Sequence, residues 1–289
     1  MPSLAVWISA ARPRTLPAAV VPVLVGLAVA RRAGPLDWGL AALTLVAALL
    51  IQIGTNLAND YYDFLSGADG ADRLGPPRAT QQALASPRAM RSAAALALAG
   101  AALAGACLVR AGGLPILIVG VLSLGSAVAY TGGPFPLAYH GLGDLFVFVF
   151  FGLVAVCGTV YLQTRGLSAL AFAAAVPVAC LVTAILVVNN LRDIASDARA
   201  GKRTLAVRLG ARATRLEFVL LTGLAFALVP AIAAGAGAKV LLAWLVAPLA
   251  VREARALYAR DGAALNRSLA ATARLHLAFG ALFAAGLWP

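Results

Sequence analysis

Acidic side chains are scarce in this sequence: 11 Asp and Glu among 289 residues, against 23 Lys and Arg. Charged residues of both signs make up only 12% and hydrophobic ones 62%, which excludes an ordinary water-exposed globular surface, where about a quarter of residues are charged. Histidine is nearly absent (His140 and His276), and there are three cysteines. With so few soft ligands, neither a zinc cluster nor a disulfide framework can be built. Cys107, Cys157 and Cys180 lie inside apolar stretches without metal-ligand spacing, so they read as small packing residues. Alternating polar and apolar positions are also missing. The apolar runs are continuous and rich in Ala and Leu, which argues against a membrane β-barrel.

What is present is a series of long apolar stretches. A helix crossing a hydrocarbon core about 30 Å thick needs roughly 20 mostly apolar residues. Nine stretches approach that requirement, near 15–31, 37–59, 92–109, 114–130, 143–163, 167–190, 214–234, 239–257 and 269–288. The sequence therefore predicts an all-α, polytopic membrane protein of about nine transmembrane helices, forming one domain over 1–289. The first stretch is too long for a cleavable signal and is followed by eight more. The net charge of +12 could suggest a nucleic-acid partner in a soluble protein, but here its distribution excludes that reading. Assigning the connections alternately to two sides puts 18 basic residues on one side and five on the other. By the positive-inside rule the richer side is cytoplasmic.

Five of the 11 acids fall in two short runs on that side, NLANDYYDFLSGAD (Asn56 to Asp69) and NNLRDIASD (Asn189 to Asp197). Each closes an apolar stretch, and each has an Asn four residues before an Asp. On a helix, Asn56, Asp60 and Asp63 share one face, as do Asn189, Asp193 and Asp197; Asn59 is a second partner for Asp63. Isolated carboxylates at the centre of a bilayer cost about 2.5–3.5 kcal/mol each, so two matched stripes on one side need a counter-charge. A ring of hard oxygens suits Mg²⁺, which takes one or two carboxylates together with waters and phosphate oxygens. Candidate phosphate ligands surround the runs: Arg73 and Arg78 after the first, and Arg192, Lys202 and Arg203 about the second.

A third polar stretch, YTGGPFPLAYHGLGD (Tyr130 to Asp144), reaches the same side. Its Gly and Pro density marks a tight, irregular connection. Tyr130 and Tyr139 could be interfacial belt residues or aromatic faces beside a developing cation. The largest polar insertion, 64–91, reads as a loop with a short helix. Together these parts describe a substrate with a diphosphate head held by Mg²⁺ and an apolar tail among the helices. Loss of diphosphate from an allylic prenyl chain would leave a carbocation for a nucleophile to trap, in a cavity that excludes water.

The chain resembles the UbiA superfamily of intramembrane prenyltransferases over nearly its whole length. The resemblance rests on ARPRTLPAAVVPVLVG (Ala11 to Gly26), TNLANDYYDFLSGAD, RLGPPRATQ (Arg73 to Gln81), YTGGPFPLAYHGLGDLFVFVFFG (Tyr130 to Gly152) and NNLRDIASDARAGKRTLAVRLG (Asn189 to Gly210). It implies nine helices around a central cavity in the cell (inner, or plasma) membrane, with the active site on the cytoplasmic side. Asp60, Asp63, Asp193 and Asp197 would be catalytic ligands of Mg²⁺-diphosphate. Asn56, Asn59, Arg73, Tyr130, Tyr139, Asn189, Lys202 and Arg203 would contact substrate. Where the superfamily often has a further Asp, this chain has Gly67, with the acid displaced to Asp69, an outer candidate for substrate binding. The Tyr130 to Asp144 and Arg192 to Gly210 segments resemble the naphthoate branch of menaquinone synthesis. There a polyprenyl diphosphate alkylates 1,4-dihydroxy-2-naphthoate, with loss of diphosphate and CO₂, to give demethylmenaquinol. Other UbiA-type acceptors (4-hydroxybenzoate, homogentisate, haem, a chlorophyllide) and a membrane transporter are the alternatives. Prenyl chain length and oligomeric state are not legible in the sequence.

Overall fold

The computed structural model describes residues 2–67 and 73–289, and every regular element among them is helical. Asp69 lies outside the described residues. In chain order the helices are α1 (Leu4–Ala11), α2 (Pro17–Arg31), α3 (Trp38–Leu65), α4 (Pro87–Gly112) and α5 (Leu114–Ala129). The next span runs without a break through α6 (Gly143–Val147), a π-helical stretch (Phe148–Val154) and α7 (Ala155–Thr164). Then follow α8 (Ala169–Arg199) and α9 (Leu205–Ala236), a 3₁₀ stretch (Ala238–Val246) leading into α10 (Ala247–Tyr258), and α11 (Leu265–Leu287).

All nine expected apolar stretches fall on helical elements, but fewer can cross a bilayer alone. Six helices among the described residues are long and apolar enough, and α1–α2, bent by 51°, supplies a seventh if counted as one span. At 1.5 Å per residue the 16 residues of α5 extend about 24 Å, short of the hydrocarbon thickness. The 239–257 stretch divides between the 3₁₀ segment and α10, and α10 carries Arg252, Glu253 and Arg255. The protein is a multi-pass membrane protein, and Leu96 and Leu103 of α4 project from its outer face. Cys157 and Cys180 are buried as expected; Cys107 is exposed on α4 rather than packed. No helix forms in the described part of the 66–86 connection, which is held as turns.

Helix starts are fixed by side-chain caps. Asp37 accepts from Leu40 N–H (2.9 Å) at α3, and Ser86, Ser168 and Thr204 cap α4, α8 and α9 in the same way. Each such cap stabilises by about 1 kcal/mol. At the N-terminal bend Arg12 takes a left-handed conformation (φ 53°) between α1 and Pro13. The main core joins α2, α8, α9 and α11 with the 238–246 segment, around Val21, Leu181, Phe279 and Phe283. In lipid, helices associate mainly through close packing, so small residues occupy the contacts. A Cβ at Gly152 would lie 2.1 Å from Ala179 Cβ, and one at Gly280 would lie 2.2 Å from a Val21 methyl. The antiparallel connections bring the C-terminal ends of α3 and α8 together with the 130–144 stretch.

Candidate active site

Two adjoining cavities lie within the bundle. The larger, about 360 Å³, is almost wholly apolar and lies between α2, α3, α4, α5 and the 143–164 span. The smaller, about 190 Å³, sits at the basic end, lined by residues that include Arg12, Asn59, Asp63, Arg78, Asn189 and Lys202. Both are bounded by Ala18, Thr55, Tyr130, Val147 and Phe151, so the two adjoin across a largely apolar shared wall.

Asp63 is the carboxylate of α3 that faces the smaller cavity. It is 2% exposed, pairs with Arg78 (Oδ2 to Nη2, 2.8 Å) and lies 3.6 Å from Lys202 Nζ. Tyr139 Oη donates to it at 3.4 Å and shares a 2.7 Å hydrogen bond with Ser66. Lys202 Nζ also stands 5.3 Å from the centre of the Tyr139 ring. Burial pulls the Lys202 ammonium down, but the carboxylates of Asp63 and Asp197 outweigh it and raise its pKa above the ordinary lysine value. Burial likewise raises the Tyr139 phenol; its Ser66 hydrogen bond opposes the rise and the Asp63 charge adds to it. Burial, with the charges of Asp144, Asp63 and Asp197, raises Tyr130 as well. Lys202 therefore stays a cation and both tyrosines stay neutral.

The other motif residues divide by what they already hold. Asn56 Nδ2 donates to the Ala11 carbonyl (3.0 Å) and Thr15 Oγ1 (2.9 Å), tying α3 to the N-terminal bend. Asn59 Oδ1 accepts from Thr131 (2.7 Å), and its carbonyl accepts from Arg78 Nη1 (2.6 Å). Asp60 accepts backbone N–H groups from Ala79 and Thr80, both at 3.2 Å, and is not part of the cavity wall. Asp193 is gripped in bidentate fashion by its neighbour Arg192 (2.7 and 2.6 Å). Arg192 also donates to Asn189 Oδ1 and Asn266 Oδ1, so this guanidinium serves the chain itself. Asp197 is 9% exposed and its carbonyl accepts from Lys202 N–H. Arg73, Tyr130 and Asn189 line the cavity.

Arg203 departs from expectation. It is exposed and absent from the cavity wall; its N–H donates to the Tyr139 carbonyl, and its own carbonyl accepts from Arg208. The turn at Gly201 (φ 72°) aims Lys202 inward, and the next side chain accordingly points out. Two charged cavity residues were not singled out as contacts by sequence reasoning. Among the described residues, Arg12 brings a buried Nη2 with no hydrogen-bond partner, and Asp144 brings two such carboxylate oxygens. Each ends or lies within a quoted motif, ARPRTLP and GLGD, which was the signal available.

Hard oxygens, four cations (Arg12, Arg73, Arg78 and Lys202) and an adjoining apolar chamber fit an amphiphile with a phosphorylated head. Among the described residues no three of Asp, Glu, His and Cys cluster as a metal cage. Mg²⁺ does not require one, because phosphate and water supply most of its ligands; Asp63, facing the cavity, and Asp197, sharing Lys202 with it, fit that need.

Fold and cavity together define an all-helical membrane protein with a cation-lined cavity at its basic end and an apolar one in its interior. The sequence profile of the UbiA prenyltransferase family matches residues 19–283, and the chain belongs to that family. It is 46% identical over 218 residues to the 1,4-dihydroxy-2-naphthoate octaprenyltransferase of Mycobacterium tuberculosis, covering 75% of this chain and 74% of that one. It is 40% identical over 293 residues to the protein of the same name in Escherichia coli, covering 98% and 94%. In fold it is similar to a UbiA homolog from Aeropyrum pernix (TM-score 0.68, 20% identity, 93% and 95% coverage). It is also similar to one from Archaeoglobus fulgidus bound to DMAPP and Mg²⁺ (TM-score 0.64, 14% identity, 96% and 98% coverage).

Proposed function

We propose that this protein transfers a polyprenyl group from an allylic polyprenyl diphosphate to 1,4-dihydroxy-2-naphthoate, releasing diphosphate and CO₂ and giving demethylmenaquinol. The observation that carries this reading is the junction of the cation-lined cavity with the apolar one across Tyr130, Val147 and Phe151. The names of relatives 40–46% identical to the chain support the naphthoate as acceptor.

Arg12, Arg73, Arg78 and Lys202 bind the diphosphate and orient its allylic carbon toward the junction. The motif carboxylates Asp60, Asp63, Asp193 and Asp197 are the residues that would hold Mg²⁺, with Asp63 lining the cavity and Asp197 acting on the same Lys202. Bound there, the ion would neutralise charge on the leaving diphosphate. Asn56 and Asn189 fix the walls on either side, while Asp60 holds the 79–80 turn over the site. Tyr130 and Tyr139 stay neutral and offer π faces to positive charge on the allyl group. The apolar wall keeps water from that cation. Arg203 acts, in this reading, without direct contact to the diphosphate. The bias of basic residues supports a site on the cytoplasmic side of the cell membrane.

The test is an assay in membranes containing the protein, with polyprenyl diphosphate and several aromatic acids, with and without Mg²⁺, and products identified by mass. Demethylmenaquinone formed only with Mg²⁺ is expected. Prenylation of 4-hydroxybenzoate without any demethylmenaquinone would move the acceptor to another branch of the family.

A further inference from the structure

Asp144 is the second residue of α6, 6% exposed, and both of its carboxylate oxygens are buried with no hydrogen-bond partner among the described residues. It lines the smaller cavity beside Tyr130, Val147 and Phe151, the residues that also border the apolar chamber. The backbone here is drawn tight against Tyr130: a Cβ at Gly143 would lie 3.1 Å from the phenol oxygen. A buried carboxylate without partners is destabilising, and native structures hold such a group chiefly where it has a task. Three of the other motif carboxylates are held directly, Asp60 by backbone amides, Asp63 by Arg78 and Asp193 by Arg192.

The chemistry of Asp144 selects between the two substrates. A prenyl diphosphate offers only acceptor oxygens and hydrocarbon, and its charge repels a carboxylate. A hydroxyaromatic acid offers O–H donors. We propose that Asp144 binds the ring hydroxyl next to the carbon that is alkylated and serves as the base of the reaction; this rests on the function proposed above.

The step balances within the two substrates. The allylic C–O bond breaks and its electron pair leaves with the diphosphate. The ring carbon bearing the carboxylate bonds to the allylic carbon, drawing on the lone pair of the adjacent hydroxyl oxygen. That hydroxyl gives its proton to Asp144 and becomes a ketone, leaving a β-keto carboxylate. The C–CO₂ bond then breaks, its electron pair passes to the ketone oxygen, and Asp144 returns the proton. CO₂ and the quinol result, with no oxidant or reductant.

The test compares wild type, Asp144→Asn and Asp144→Glu in membranes, with polyprenyl diphosphate, 1,4-dihydroxy-2-naphthoate and Mg²⁺. A positioned base contributes typically about 10²–10⁴-fold. The expected result for Asp144→Asn is a fall in kcat of that order with a raised KM for the naphthoate. KM for the prenyl diphosphate should stay within about twofold, the melting temperature should not fall, and Asp144→Glu should recover part of the rate. Activity of Asp144→Asn within about threefold of wild type overturns the proposal, as does an equal loss of affinity for both substrates, the mark of a structural role. If wild type itself prenylates a different hydroxyaromatic acid, the naphthoate reading falls alone. The same comparison on that acceptor then decides the role of Asp144.

Discussion

Replacing Asp63 by Asn keeps the shape of the side chain and removes only its charge, which isolates the electrostatics of the cavity. The carboxylate stands 2.8 Å from Arg78 Nη2 and 3.6 Å from Lys202 Nζ. At an effective dielectric of about 20 those separations correspond to about 6 and about 5 kcal/mol of gross attraction. Desolvation offsets much of it, and removing one partner of a buried pair costs about 3–5 kcal/mol, because the remaining charge stays buried. At roughly 2–4 °C per kcal/mol, the melting temperature should fall by on the order of 10 °C. The loss should also be conditional. A diphosphate brought to the same cations supplies the missing negative charge, so inorganic pyrophosphate without Mg²⁺ should raise the melting temperature of Asp63→Asn more than that of wild type. Mg²⁺-dependent prenyl transfer should drop at least about 10²-fold, as when other preorganised electrostatic contacts are removed. Thermal melts in detergent with and without pyrophosphate, beside turnover in membranes, measure both. A variant that melts like wild type, or turns over within threefold of it with Mg²⁺, refutes the reasoning.

Three further perturbations probe separate parts of the structure. Asp60→Ala removes the acceptor for two backbone N–H groups, at about 1.5–3 kcal/mol for each bond to a charged group; amide exchange at Ala79 and Thr80 should accelerate, and unchanged protection would contradict the anchoring role. Gly158 lines the apolar chamber with open space where a Cβ would stand. Gly158→Leu should therefore shift products toward shorter prenyl chains, with a stability gain of up to about 1 kcal/mol from helix propensity; an unaltered product distribution by mass would place the tail elsewhere. Gly152→Ala drives a methyl into Ala179 and should destabilise by about 1–3 kcal/mol, seen as a lowered melting temperature, unless α8 can move aside.

The acidic stripes were legible because helical spacing is a one-dimensional property. Asn56, Asp60 and Asp63 share a face whatever surrounds them, and charge bias alone put both stripes at one end. The division of labour within them was not legible. Nothing in the spacing tells that Asp60 is taken by amides 19 and 20 residues on, or that Asp193 is clasped by the very next residue. Arg192 read as a phosphate ligand for the same reason, since its partner Asn266 lies 74 residues away on α11. Lys202 and Arg203 looked equivalent as neighbouring bases, and only the turn at Gly201 separates the inward from the outward side chain. Asp144 escaped notice as a lone acid after a Gly- and Pro-rich stretch, where its burial depends on packing against Tyr130. The span count is approximate where hydropathy does not resolve how short α5 is, or the change of helix type in 238–258.

The π-helical stretch Phe148–Val154 acts as a splice between two angular phases of one span. Such a stretch accommodates an extra residue within an otherwise α-helical path, and each residue of an α-helix advances by about 100°. Below the splice, Asp144 and Val147 face the cavities; above it, Gly158 and Leu162 face the same interior. A single deletion within 148–154 would be absorbed as the π turn closes to an α turn, but one within 155–157 would leave length, apolarity and topology nearly intact while rotating Asp144 by about 100° relative to Gly158 and Leu162. The membrane would receive a chain it could not distinguish from the original, and the reaction would lose its alignment through a change of phase alone.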